Sequence, residues 1–187
     1  MFGTVPGMSD LVVIAAPQEA RHLPSDVRVA LTGIGMAQAA VATTRAILEQ
    51  RPTRVVNLGS VGSLDATIHG IQRPSAVINR DLNADALRAA GLTPDERIEL
   101  GGDGPVLGTG DSFVAGGPER DALLGRCQLV DMEGFAIAHA CRVLGVELVM
   151  IKHVSDPATE ESLGWKELVD VSARALAAAY SEIRRTD

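Results

Sequence analysis

Cys127-Gln128-Leu129-Val130-Asp131-Met132-Glu133-Gly134 and, one helix further on, Val146-Glu147-Leu148-Val149-Met150-Ile151-Lys152-His153-Val154-Ser155-Asp156-Pro157 decide the fold. Each is an apolar run that ends in carboxylates at a turn. Such runs read as buried strands. Between them Glu133 to Leu144 reads as a helix, with Ile137, Ala140, Cys141 and Leu144 in phase. Strand, helix, strand is the unit of a parallel sheet covered by helices. The loops at the carboxyl ends of such strands hold ligand chemistry, and here they hold Asp131, Glu133 and Asp156. Two carboxylates at one edge can divide a reaction, one accepting hydrogen bonds from hydroxyls and one handling a proton. The local alternative is capping: Asp131 or Glu133 on the helix that follows, Asp156 on the next.

Working outward, Leu11 to Ala16, Val27 to Leu31, Arg54 to Leu58, Ala76 to Asn79 and Val106 to Gly108 read as further strands. Gly33-Ile34-Gly35 opens a helix that runs to Gln50, with Ala39, Ala40, Thr43, Ala46 and Ile47 on one face, and Pro52 ends it. Gly59-Ser60-Val61-Gly62 reads as a break after its strand. Asn83 to Ala90 and Pro118 to Leu124 read as short helices, and Leu92 to Pro105 as turn-rich. A long closing helix spans Leu163 to Ile183, with Leu168, Val171, Ala175 and Ala178 in phase. The alternation predicts a three-layer α/β/α fold around a mostly parallel, mixed sheet.

The 187 residues fit one domain, residues 8–187, preceded by an unstructured extension from Met1 to Gly7. Apolar residues make up 46% and aromatics 3%, so the core is Val, Leu, Ile and Ala. The net charge of −7 comes with no basic cluster, which excludes nucleic acid as a partner. No apolar stretch is long enough for a membrane span, and no secretory segment precedes Cys127 and Cys141. The expected compartment is the reducing cytoplasm. His22, His69, His139 and His153 share no ligand spacing, so no metal or other cofactor is expected. No serine sits in a nucleophile elbow.

Gly33-Ile34-Gly35 lacks the third glycine of a dinucleotide fingerprint and follows the second strand. A tight turn whose backbone N–H groups face a ligand edge fits it better. In Gly59-Ser60-Val61-Gly62 the glycines permit close approach and Ser60 adds a hydroxyl, a combination suited to an anion, to a water nucleophile or to a plain turn. Phe113, in Gly108-Thr109-Gly110-Asp111-Ser112-Phe113-Val114, can stack on a flat heterocycle or fill core.

Together these segments resemble the nucleoside phosphorylase and nucleosidase superfamily, with most likeness to the bacterial 5′-methylthioadenosine/S-adenosylhomocysteine nucleosidases. The likeness lies in the first strand with Glu19 after it, in Thr32-Gly33-Ile34-Gly35, and in Val55-Val56-Asn57-Leu58-Gly59-Ser60-Val61-Gly62. It continues in Gly110-Asp111-Ser112-Phe113-Val114 and in Val130-Asp131-Met132-Glu133-Gly134 with Val154-Ser155-Asp156. The resemblance implies a nucleoside phosphorylase-like fold and cleavage of a purine nucleoside. Asp156 would protonate N7 of the base, supported by Ser155. Glu133 would bind the ribose hydroxyls, with Met132 beneath the sugar. Phe113 would stack on the base and the Val114 backbone would read its edge. Glu19 would activate water, and Ser60, Gly62, Asp131 and Lys152 would complete the substrate site. Lys152 stands where these enzymes have arginine, so the charge is kept and the planar fork is lost.

Phosphorylases of the superfamily place an arginine just before the Gly-Ser/Thr turn, and here Val56-Asn57-Leu58-Gly59-Ser60 has none. A phosphate dianion without its cationic clamp binds weakly. Water is therefore the expected nucleophile. The alternatives are a phosphorylase that recruits Arg21, Arg73 or a neighbouring subunit, and a catalytically silent nucleoside-binding protein. The chain is shorter than the enzymes it resembles, and the shortfall between Gly91 and Val106 corresponds to a missing helix and strand. The 5′ substituent is left open by that loss. A homodimer is implied, because the superfamily commonly closes its sites with a neighbour. Expelling a base leaves positive charge on the sugar and negative charge on the base. Asp156 is accordingly expected to be partly buried, where its acid form is favoured.

Overall fold

The computed structural model describes residues 9–159 and 165–186. The expected extension Met1 to Gly7 and the expected helix start at Leu163 lie outside these residues. One mixed sheet forms the middle layer. Its order begins β2 (Val29–Leu31), β1 (Asp10–Ile14), β3 (Arg54–Ser63), β8 (Leu129–Asp131). It continues through β7 (Val106–Thr109), β5 (Ala76–Asn79) and β6 (Arg97–Glu99). A further strand, β9 (Glu147–Asp156), pairs in parallel with β3 and antiparallel with the short β4 (Ile71–Gln72).

Helices α1 (Met36–Gln50) and α4 (Gly134–Leu144) pack on each other, and their cluster holds Ala39, Ala46, Ile47, Ile137 and Cys141 against Leu11, Val13 and Val55. Long helix α5 (Trp165–Thr186) packs its Leu176, Tyr180 and Ile183 against Val12, Ile14, Val56 and Leu58. Successive residues of β1 and β3 thus alternate between two apolar layers. That is why those strands read as continuous hydrophobic runs. Burying each such side chain contributes roughly 1.5–3 kcal/mol. Three-layer α/β/α architecture is as expected. The small helices α2 (Ala84–Ala89), begun by the Asn83 side chain accepting from Ala86 N, and α3 (Gly117–Asp121) bury no residue of their own.

Three local expectations are corrected. First, β3 does not break at Gly59 but runs on to Ser63, paired with β9 from Arg54↔Glu147 to Gly62↔Asp156. The glycines are there for close approach: a Cβ on Gly59 would lie 3.2 Å from the Lys152 ammonium, and one on Gly62 3.1 Å from Ala158 and Val130. Second, the turn-rich stretch after Gly91 contains β6, an antiparallel edge strand whose Ile98 is buried beside Val77. Third, α5 is rotated from its expected face. Val169, Ala173, Leu176, Tyr180 and Ile183 are buried, whereas Leu168 and Val171 are exposed. Leu176, Tyr180 and Ile183 offer more apolar area than Ala175 and Ala178, and they win the core.

The fold has two parallel blocks, β2-β1-β3-β9 and β8-β7-β5, joined by the antiparallel pairing of Gly62 with Val130. Gly62 also lies opposite Asp156. The carboxyl ends of β3, β8 and β9 therefore converge.

Candidate functional site

At that convergence lies a cleft of about 180 Å³. Its lining includes Glu19, Ser60, Gly62, Phe113, Val114, Asp131, Met132, Glu133, Lys152, Ser155 and Asp156. The residues to which the resemblance gives a place in the site are thus brought to one cavity, from loops and strands spread over the chain.

Glu19 sits in the loop after β1 and is buried. Its Oε1 accepts from Ser60 N at 2.8 Å and from Ser60 Oγ at 2.7 Å, and its Oε2 accepts from Ala16 N at 3.3 Å. Ser60 therefore holds a carboxylate, not an exogenous anion. Main-chain N–H groups satisfy a buried carboxylate well, because they are fixed by the strand and need no ordering.

Glu133 stands at the start of α4 and reaches across to α1, where its Oε1 accepts from Gly35 N at 2.9 Å. The Gly33-Ile34-Gly35 turn thus directs an N–H into the cleft, as expected. Gly35 has φ 97°, a left-handed conformation that favours glycine, and a Cβ there would also meet Asp111 Oδ1 at 3.0 Å. Burial first, and then the like charge of Asp131, push the Glu133 carboxyl up to about 7. The Gly35 N–H and Lys152 oppose the shift.

Asp131 and Lys152 form an ion pair of 2.9 Å with both side chains almost wholly buried. Asp131 also accepts from Thr109 Oγ1 at 2.6 Å and from Gly134 N at 3.0 Å. The capping alternative therefore holds for Asp131, at the first turn of α4. Both residues border the cleft, but their charges are directed at each other.

Asp156 is half-buried at the end of β9. Its Oδ2 accepts from Ser155 Oγ at 2.6 Å and its Oδ1 from Ala158 N at 2.9 Å. The register shift between Val61 and Gly62 makes room for Ser155, whose hydroxyl also reaches the Val61 carbonyl at 3.2 Å. A bulge next to a site re-aims side chains in this way.

At the other end, Phe113 is 48% exposed at the rim while Val114 is buried. Phe113 is thus free of the core and available to a ligand face. One lining residue lies outside every segment that the sequence pointed to: Arg80. Arg80 was signalled by the charged pair Arg80-Asp81 placed directly after the apolar run Ala76 to Asn79. The arginines considered for phosphate are elsewhere: Arg21 faces Asp170 on the surface, and Arg73 is exposed; neither borders the cleft.

Comparison with known proteins gives the family and the fold. The profile of the phosphorylase superfamily matches residues 24–96 and 103–186. A 5′-methylthioadenosine/S-adenosylhomocysteine nucleosidase of Shewanella halifaxensis is 30% identical over 163 residues, covering 73% of this chain and 71% of that protein. Among solved structures, a Helicobacter pylori mutant nucleosidase with 5′-methylthioadenosine in its active site superposes with TM-score 0.83 at 20% identity, covering 97% of this chain and all of that one. The futalosine hydrolase of Helicobacter pylori superposes with TM-score 0.82 at 19% identity, covering 96% and 99% of the two chains.

Proposed function

The chain belongs to the phosphorylase superfamily, and from that premise we propose that it is a purine nucleoside N-ribohydrolase, cleaving an adenosine-type nucleoside such as methylthioadenosine or adenosylhomocysteine with water. The observation that carries this reading is the charge layout of the cleft. Glu19, Glu133 and Asp156 border it, and among the described residues its cations are Lys152, held by Asp131, and Arg80, flanked by Asp81 and Glu119. A phosphate dianion would meet carboxylates there and no uncommitted clamp. A sugar carrying developing positive charge would be favoured by the same field.

In this mechanism Glu19 takes a proton from water as its oxygen bonds to C1′. The C1′–N9 bond breaks and its electron pair leaves with the base. Asp156, steadied by Ser155, supplies a proton at N7. Glu133 accepts from the ribose hydroxyls above Met132, and Phe113 stacks on the purine while the Val114 backbone reads its edge. Lys152 and Asp131 act from beneath, fixing the first turn of α4 and the place of Glu133. On this reading the protein serves methionine salvage as a cytoplasmic homodimer.

Release of free base from methylthioadenosine, adenosylhomocysteine, 5′-deoxyadenosine, adenosine, inosine and futalosine, with and without phosphate, tests the proposal. Release without phosphate is expected. Strict phosphate dependence would make it a phosphorylase, and binding without release a nucleoside-binding protein. Light scattering that gives a monomer mass would remove the dimer.

A further inference from the structure

We propose that Arg80 is a positioning residue for the base: its guanidinium holds the Gly110–Val114 loop in the shape that sets Phe113 and Val114 against a purine. The inference rests on the nucleoside reading of the cleft and adds to it a residue outside the segments that carry the family likeness.

The Arg80 side chain is 3% exposed and lies between the end of β5 and the loop that follows β7. Its Nη2 donates to the carbonyls of Gly110, at 3.3 Å, and Ser112. Its Nη1 donates to Ser112 Oγ at 3.0 Å, with the Asp81 and Glu119 carboxylates at 3.4 and 3.5 Å. Ser112 Oγ in turn donates to Glu119. One planar group therefore grips two carbonyls and a hydroxyl of the same short loop, a geometry suited to a rigid fork and not to an ammonium. Asp81 completes the grip by accepting from Asp111 N at 2.7 Å.

Two further observations favour a built device over incidental packing. A Cβ on Gly110 would collide with Asp81 Oδ1 and lie 2.7 Å from the Arg80 Cζ, so glycine here leaves room for both side chains of the grip. Asp111 then extends the chain of contacts: its Oδ1 accepts from Met36 N at 2.7 Å, next to the Gly35 N–H that donates to Glu133. The loop under the base and the carboxylate at the sugar share one hydrogen-bonded path. Phe113 is half-exposed and not anchored in the core, so its orientation is set by the backbone that Arg80 holds.

The test uses Arg80→Ala and Arg80→Lys in the full chain. Amide exchange of residues 111–114 should quicken by about tenfold or more in both, with the amides of β3 and β9 unchanged. Adenine affinity by calorimetry should fall by about tenfold, and KM should rise similarly with kcat within about threefold. Added guanidinium ion should restore adenine affinity to Arg80→Ala. Arg80→Lys should stay weak, because an ammonium cannot span the two carbonyls. Unchanged exchange at 111–114, or adenine affinity and KM within about twofold of wild type, would overturn the proposal. Should both variants fail to fold, Ser112→Ala, which removes one contact of the clamp, must still quicken exchange at 111–114 and weaken adenine, or the proposal fails. A wild-type protein that binds no adenine and cleaves no nucleoside would sink the nucleosidase reading, and the exchange data would still decide the clamp.

Discussion

Glu19 and Glu133 take hydrogen bonds from main-chain N–H groups, at Ser60 and Gly35, and Asp131 beneath them joins β7, α4 and β9. Phe113 and Val114 stand instead on a loop whose carbonyls are held by a single side chain, Arg80. The end of the cleft proposed for the sugar is therefore made by the fold itself, while the end proposed for the base is added to it. The contrast teaches where damage should appear. Changes at the sugar end should reach stability and chemistry together. Changes at the base end should reach affinity and leave the fold alone.

The largest effect should come from Asp156→Asn, which on the proposed mechanism removes the proton supplied to the leaving base. Turnover should fall by about 10³-fold with adenine affinity little changed. Activity that survives within a few-fold would show the acid to be another group. Lys152→Met should be next. It leaves Asp131 buried without its cation, and urea unfolding should report a loss of about 3–5 kcal/mol. A loss below about 1 kcal/mol would mean that Thr109 and Gly134 suffice, and the contrast between the two ends would weaken.

The pH dependence of binding probes Glu133. On the proposed reading ionised Glu133 accepts from ribose hydroxyls, and the acid form would do so less well. With its carboxyl at about 7, KM should rise by up to about tenfold per unit as pH falls below that value, and level off above it. Glu133→Gln should flatten the profile. Between the ordinary value of 4.5 and about 7 the folded protein holds a proton that the unfolded chain has lost. The group therefore makes the empty protein less stable as pH rises through that window, and the effect on stability runs opposite to that on binding. Phe113→Ala should be the mildest. KM should rise by about tenfold through lost stacking, with unfolding unchanged because the ring is exposed at the rim. A large stability loss there would erase the distinction between the ends.

The layered fold was legible because the buried strands are apolar on both faces and the helices between them carry clear stripes. The lining of the cleft was legible where polar residues are packed into short segments, as in Asp131 to Gly134 and Ser155-Asp156. Gly59 to Gly62 misled because glycine marks both turns and close approaches, and only the position of Lys152 and Val130 distinguishes them. In α5 two apolar stripes compete, and counting alanines equally with Leu176, Tyr180 and Ile183 selects the wrong one. Arg80 left only a faint sign, the charged pair that follows the strand Ala76 to Asn79, because its partners include the backbone carbonyls of Gly110 and Ser112, which have no signature in a sequence.

Asp131 ties three elements with one carboxylate, and Thr109 extends the tie by accepting from Phe135 N at 2.9 Å. A joint of this kind resists parting of β7, α4 and β9 by small steps, since any opening strands a buried charge. The cleft cannot breathe there to let a ligand in or a product out. Any widening of the cleft must therefore come from elsewhere on its rim, while the seam at Asp131 stays shut.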